Sequence, residues 1–130
     1  NKSVGYHAFN LYAFEIIRKN APNLPFWNSN AYKKIVSYGT DNSLLPALDG
    51  NMFAYPYNAP GFEMPFAFSS LTNRNQLLGL ATAYLQEQLR QTYDSETKTF
   101  GNDNPDPVTL TARLYELAQT DGEYLEKIQI

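Results

Sequence analysis

Cysteine is absent from the 130-residue chain, which removes disulfides, thiol nucleophiles and thiolate metal sites at once. A single histidine, His7, with dispersed carboxylates gives no convergent metal-ligand spacing, so no metal is expected. Glycine-rich phosphate loops are missing, and nothing points to a cofactor. The ten Lys and Arg are scattered and the formal net charge is -3, so the clustered basic footprint of a nucleic-acid binder is lacking. No apolar run approaches the length of a membrane span. What is abundant is aromatic: ten Tyr, eight Phe and one Trp, most of which core packing must absorb.

Helical patterning dominates. Val4 to Ile17 is nearly all apolar, with Ser3 as a possible cap and Arg18-Lys19 suited to a carboxyl end. Such a helix is expected to be buried on all sides. Its polar exceptions include His7 and Asn10, three apart and on one face. They read either as hydrogen-bonded helix-end residues or as the lining of a pocket. A second, amphipathic helix is expected over Asn30 to Tyr38, capped by Asn28 or Ser29, with Gly39 as a left-handed terminator. Thr72 or Asn73 to about Thr92 forms the longest helix, with a capping-box spacing at Asn73 and Gln76 and a stripe of Leu77, Leu78, Ala81, Tyr84, Leu85 and Leu89. Asp94 to Gly101 is a polar loop turning on Gly101, and Asp106-Pro107 starts a further helix that ends at Asp121-Gly122. The segment 44–65 reads as a small irregular or β-turn excursion, two short apolar runs around Asp49-Gly50-Asn51. The expected fold is all-α, in antiparallel helical hairpins, as one domain over residues 1–130.

Within that excursion lies Tyr55-Pro56-Tyr57-Asn58-Ala59-Pro60-Gly61-Phe62-Glu63-Met64-Pro65-Phe66, with three of the eight prolines and four aromatic rings. Proline fixes φ and pushes the preceding residue out of the helical region. The stretch is therefore predicted to be a rigid loop up to Pro65, of the kind that carries binding residues on a scaffold.

Tyr6-His7-Ala8-Phe9-Asn10 opening the first long helix, this loop, and Asp94-Ser95-Glu96-Thr97-Lys98-Thr99-Phe100-Gly101 between helices together resemble the tail of an α/α-toroid protein. That six-hairpin superfamily includes glycoside hydrolases, uronate lyases and sugar epimerases. The resemblance implies a C-terminal portion of a longer carbohydrate-active enzyme. Its partners would be a carbohydrate substrate and, over an exposed apolar face, missing N-terminal hairpins or another copy of the chain. A non-catalytic helical binding or structural module is the alternative.

The candidate catalytic groups are His7, Tyr57 and Glu63, with Tyr6, Asn10, Tyr55, Asn58 and Phe62 as substrate-binding residues. Burial of Glu63 among aromatics would raise its pKa toward general-acid duty. Tyr55 and Phe62 would form an apolar platform for a sugar ring, read by Tyr57, Asn58 and Glu63. His7 and the Tyr55–Glu63 loop are expected to share one concavity. The plainer reading of Glu63 is a helix-start charge just before Pro65, and that of Arg113 a surface or inter-hairpin salt bridge.

Overall fold

A computed structural model describes residues 1–102 and 104–129. Among them every regular element is helical: α1 (Lys2–Gly5), α2 (His7–Asn20), α3 (Asn30–Gly39), α4 (Leu44–Ala47), α5 (Pro60–Ser69), α6 (Leu78–Thr92), α7 (Pro107–Ala112), α8 (Leu114–Ala118) and α9 (Gly122–Leu125). Short 3-10 turns at Pro25–Asn28 and Arg74–Leu77 lead into α3 and α6. The expected all-α fold is the one observed. No strand forms among the described residues, and the expected irregular excursion is a run of consecutive turns around α4. An isolated bridge pairs Asp94 with Thr99.

The proline-rich stretch is central in a way its sequence does not announce. It becomes helix at Pro60, five residues before the predicted limit, and all ten residues of α5 are buried. Pro60 fits because the first helical N–H has no intrahelical partner to lose. Pro65 lies inside the helix, where it removes the bond to the Gly61 carbonyl at a cost of about 3 kcal/mol. Phe62, Met64, Phe66 and Phe68 are each at most 2% exposed, and burying such side chains contributes about 1.5–3 kcal/mol apiece. Packing therefore outweighs the local rule. α5 is in contact with α2, α6 and α8.

The first apolar segment, expected to be buried all round, is divided at Tyr6 into α1 and α2, and α2 is amphipathic. Ala8, Leu11, Tyr12 and Glu15 face inward, while Phe9, Asn10 and Ile17 are exposed. Asn1, not Ser3, caps the start. α2 and α3 are joined by buried Glu15, which accepts hydrogen bonds from Tyr32 Oη and, at 2.8 Å, from Arg18 Nε. Ser29 caps α3 as expected. Gly39 is not left-handed; it belongs to α3, where a Cβ would lie 2.7 Å from Leu11 Cδ2 and 3.2 Å from His7 Nε2. Close helix approach, not chain reversal, calls for glycine there.

Asn73 makes no side-chain cap, and the 3-10 turn takes the place of the predicted first turn of α6. In the polar loop it is Lys98, at φ 59°, that reverses the chain, not Gly101. Asp106 caps α7 through Thr109 N, as its sequence predicts. The segment after Asp121 is docked: Asp121 caps α9, and Tyr124 and Ile128 are buried.

The α5–α6 contact is the closest of the helix pairings. A Cβ at Gly61 would fall 2.2 Å from Gln88 Cβ and 2.7 Å from the Tyr84 carbonyl oxygen. Gln88 is fully buried; its Oε1 accepts from Gly61 N at 3.1 Å and its Nε2 donates to Thr92 Oγ1 at 3.0 Å. Gly61→Ala must push the helices apart, and overpacking of this kind costs about 1–3 kcal/mol. Gly79 meets nothing within 4 Å, so Gly79→Ala is expected to stabilise by about 0.5 kcal/mol. Urea unfolding of the two variants should show opposite shifts in midpoint.

Candidate functional site

Three helix starts and the loop before α5 surround a cavity of about 410 Å³, within the range of small-ligand sites. Its first wall is Tyr6 and Phe9, at the α1–α2 junction and the first turn of α2, with Pro56, Tyr57 and Asn58 beside them. Its second wall is Asn104, Pro105, Asp106, Thr109 and Leu110 at the start of α7, and Arg113 completes the lining between α7 and α8.

Local chemistry fixes each wall. Asn51 Oδ1 accepts from Phe53 N at 3.0 Å, and the Ala54 carbonyl accepts from Tyr57 N at 2.9 Å and Asn58 N at 2.6 Å. Asn58, 3% exposed, donates through Nδ2 to the carbonyls of Phe53 at 2.5 Å and Gly5 at 3.2 Å. Gly5 has to be glycine for this docking, since a Cβ would lie 2.6 Å from the Phe53 backbone. The loop is thus bonded to the α1–α2 junction, and Tyr57 projects from it at 61% exposure. Tyr6 stands between Tyr57, 5.9 Å away by ring centroids, and Phe9 at 6.4 Å, itself 40% exposed. The interaction of its hydroxyl with Tyr57 raises the Tyr6 pKa. On the opposite wall Asp106 accepts from Thr109 N at 3.1 Å and Thr109 Oγ1 at 2.6 Å, and those bonds hold its carboxyl below the usual range.

Behind the cavity lies a buried charge cluster. Arg113 Nη2 donates to Glu63 Oε1, its Nε donates to Glu116 Oε1 at 3.1 Å, and its guanidinium carbon is 5.7 Å from the Phe9 ring centroid. Glu63 is 0% and Glu116 2% exposed. Among the described residues Glu63 Oε2 and Glu116 Oε2 have no hydrogen-bond partner. Burial dominates over the adjacent guanidinium and pushes Glu63 up to about 8; it also raises Glu116. Burial thus favours the neutral form of Glu63, and Oε2 is the oxygen that Arg113 leaves free.

The structure brings Tyr6, Tyr57 and Asn58 together at the cavity, but not the other sequence candidates. His7 lies outside the lining. Its Nε2 donates to the Ile35 carbonyl at 3.0 Å and its ring stands edge-on to Tyr38 at 4.8 Å, with burial lowering its pKa. The shared concavity of His7 with the loop is thus not formed, because successive residues of a helix start point to different neighbours. Asn10 is exposed and does not line the cavity. Tyr55 and Phe62, expected as a sugar platform, are core residues at 1% and 0% exposure, and Phe62 packs edge-on against Phe100 at 4.9 Å. Glu63 sits behind Arg113 and supports it. Phe9, Asp106 and Thr109 are not among the site residues the sequence singles out, and Arg113, read there as a salt bridge, pairs with Glu63 and Glu116. Asp106, Thr109 or Leu110, and Arg113 recur at i, i+3 or i+4, and i+7, as do Tyr6 and Phe9 at i and i+3, and that shared-face spacing was the available sign.

No protein-family model matches the chain, and no solved structure matches it. It is 32% identical over 126 residues to archaeal glycosylation protein Q of Haloferax volcanii, an alignment that covers 93% of this chain and 32% of that protein. The chain thus spans about a third of the length of that curated relative. Among the described residues no helix is long and apolar enough to cross a membrane.

The charge cluster has a measurable consequence. Glu63 has a folded pKa above its unfolded one, so the native state holds a proton that the unfolded chain has released. Stability is then expected to fall as pH rises from the ordinary carboxylate range, near 4.5, to about 8, and to level off above. Buried neutral His7 acts in the opposite sense below its ordinary value of 6.5, so the window from pH 7 to 8 reports the buried carboxyls, Glu63 with Glu116. Urea midpoints should decline across that window, and Glu63→Gln should flatten the decline.

Proposed function

We propose that this chain is the sugar-binding part of a larger helical carbohydrate-active protein involved in glycosylation, and that the Tyr6–Tyr57–Arg113 cavity holds a sugar unit. The observation that carries the reading is the cavity's composition: exposed Tyr57 and Phe9 with Tyr6 on one side, and Asp106, Asn104, Thr109 and Arg113 on the other. Aromatic faces suit the apolar face of a pyranose, and a few fixed polar groups suit its hydroxyls. The alignment with a glycosylation protein supports a carbohydrate role. In this reading Tyr6 and Asn58 keep the binding role expected of them, and Tyr57, expected as a catalytic group, takes a binding one. Phe9 replaces Tyr55 and Phe62 as part of the platform, and Glu63 positions Arg113.

An α/α-toroid parent is compatible with this reading. The hairpins α2–α3 and α5–α6 supply two of its units, and exposed Val108, Leu114 and Tyr115 supply apolar surface for further hairpins or a second copy to cover. Hydrolysis needs two carboxylates flanking the scissile bond. Asp106 is the one carboxylate among the described lining residues, and it is engaged as a cap. The chain by itself therefore supplies binding, and the acid–base groups of a hydrolase, lyase or epimerase would come from the rest of the parent protein.

Isothermal titration with methyl β-D-glucoside and methyl α-D-mannoside tests the reading. At least one should bind, and Tyr57→Ala should weaken it about three- to tenfold, the worth of one aromatic face at about 0.5–1.5 kcal/mol. The thermal midpoint should stay unchanged, since Tyr57 is largely exposed. Absence of binding, or binding indifferent to Tyr57, contradicts it.

A further inference from the structure

Arg113 would ordinarily mark the cavity as a site for acidic sugars, because a guanidinium pairs well with a carboxylate or phosphate. The surroundings of this arginine argue against that. Both of its donor edges used in the structure already face inward, Nη2 to Glu63 and Nε to Glu116. A buried guanidinium without a counter-charge is strongly unfavourable, so the two acids between them retain at least one negative charge. Asp106 adds another on the opposite wall. Its bonds to Thr109 hold it ionised.

The helix starts do not reverse the balance. The first turn of α5 contains Glu63, and Asp106 caps α7. α2 has no acid at its cap or in its first turn, and a helix amino end is equivalent to roughly half a positive charge. Lys2 stands over the Tyr6 and Phe53 rings, at 5.7 and 5.9 Å from their centroids, and does not line the cavity. One guanidinium, the α2 end and the α7 end that Asp106 caps thus meet at least two carboxylate charges between them. A bound anion would find no net positive field and would meet an Arg113 charge already shared with Glu63 and Glu116.

We infer that the cavity selects an uncharged sugar unit and rejects acidic ones, because Arg113 is held and neutralised by the carboxylates behind it. This rests on the sugar-binding reading above and adds the substrate class. Stacking on Tyr57, Tyr6 and Phe9 provides the contact, and Asp106 accepts from hydroxyls that a carboxylate-bearing ring would bring with a like charge.

The test compares methyl β-D-glucoside with methyl β-D-glucuronide, which differ only in a hydroxymethyl or a carboxylate at the same carbon. At pH 7 and low salt the glucoside should bind at least fivefold more tightly. Asp106→Asn removes a negative charge from the wall while asparagine still caps the helix, so the glucoside-to-glucuronide affinity ratio should narrow at least threefold. Glu116→Gln should narrow it in the same direction where that variant keeps the native thermal midpoint. Equal or tighter binding of the glucuronide to the unmodified protein overturns the inference and leaves the sugar site standing. A ratio unmoved by Asp106→Asn overturns the electrostatic cause. Failure of both glycosides to bind removes the sugar site itself, and the inference with it.

Discussion

The buried arrangement of Arg113 between Glu63 and Glu116 is the constraint on which the rest of the molecule depends. Glu63 belongs to the fully enclosed helix α5, Glu116 to α8, and Arg113 to the junction of α7 and α8, so one guanidinium ties the carboxyl-terminal third to the core. Breaking such a cluster by removing one partner leaves a buried charge uncompensated, which typically costs 3–5 kcal/mol. The same cluster sets the chemistry of the cavity, since Arg113 both lines it and is already committed. Burial that favours a neutral Glu63 lets two acids share one arginine without a net buried negative charge.

A second ionic lock does for the amino-terminal half what this one does for the other. Glu15 receives Tyr32 and Arg18, and Arg18 reaches the Ser70 carbonyl just after α5. Both locks therefore converge on α5, one from each side. Between them the helix is enclosed by α2, α6 and α8. That enclosure explains how a segment with an internal proline holds helical geometry.

How far the sequence reveals this depends on which physical scale governs each residue. Caps are local, and Ser29 and Asp106 behave as their types require. The helices over residues 30–39 and 78–92 follow from apolar spacing. The extent of α5 does not, because local proline rules favour a loop and only tertiary burial of four large side chains outweighs them. Gly39 and Gly61 carry the same lesson: each reads as a chain-reversal or loop residue, yet each marks a place where helices touch too closely for a Cβ. In the site, Tyr6, Tyr57 and Asn58 were legible because they flank segments that had to pack together. Tyr55 and Phe62 were not, since alternation of inward and outward residues in a turn-rich stretch has no period to read. His7 fell on the far side because one residue along a helix rotates a side chain by about 100°.

The most direct test of the central claim, that the Tyr6–Tyr57–Arg113 cavity is a sugar site built on this charge cluster, is a crystal structure of the protein with a neutral glycoside bound. The account predicts a pyranose ring against Tyr57 and Phe9, with Asp106 within hydrogen-bond distance of a hydroxyl and Arg113 still joined to Glu63 and Glu116. A sugar bound instead in the second cavity, between Arg18, Trp27 and Tyr32, with the Tyr57 wall empty, would contradict it.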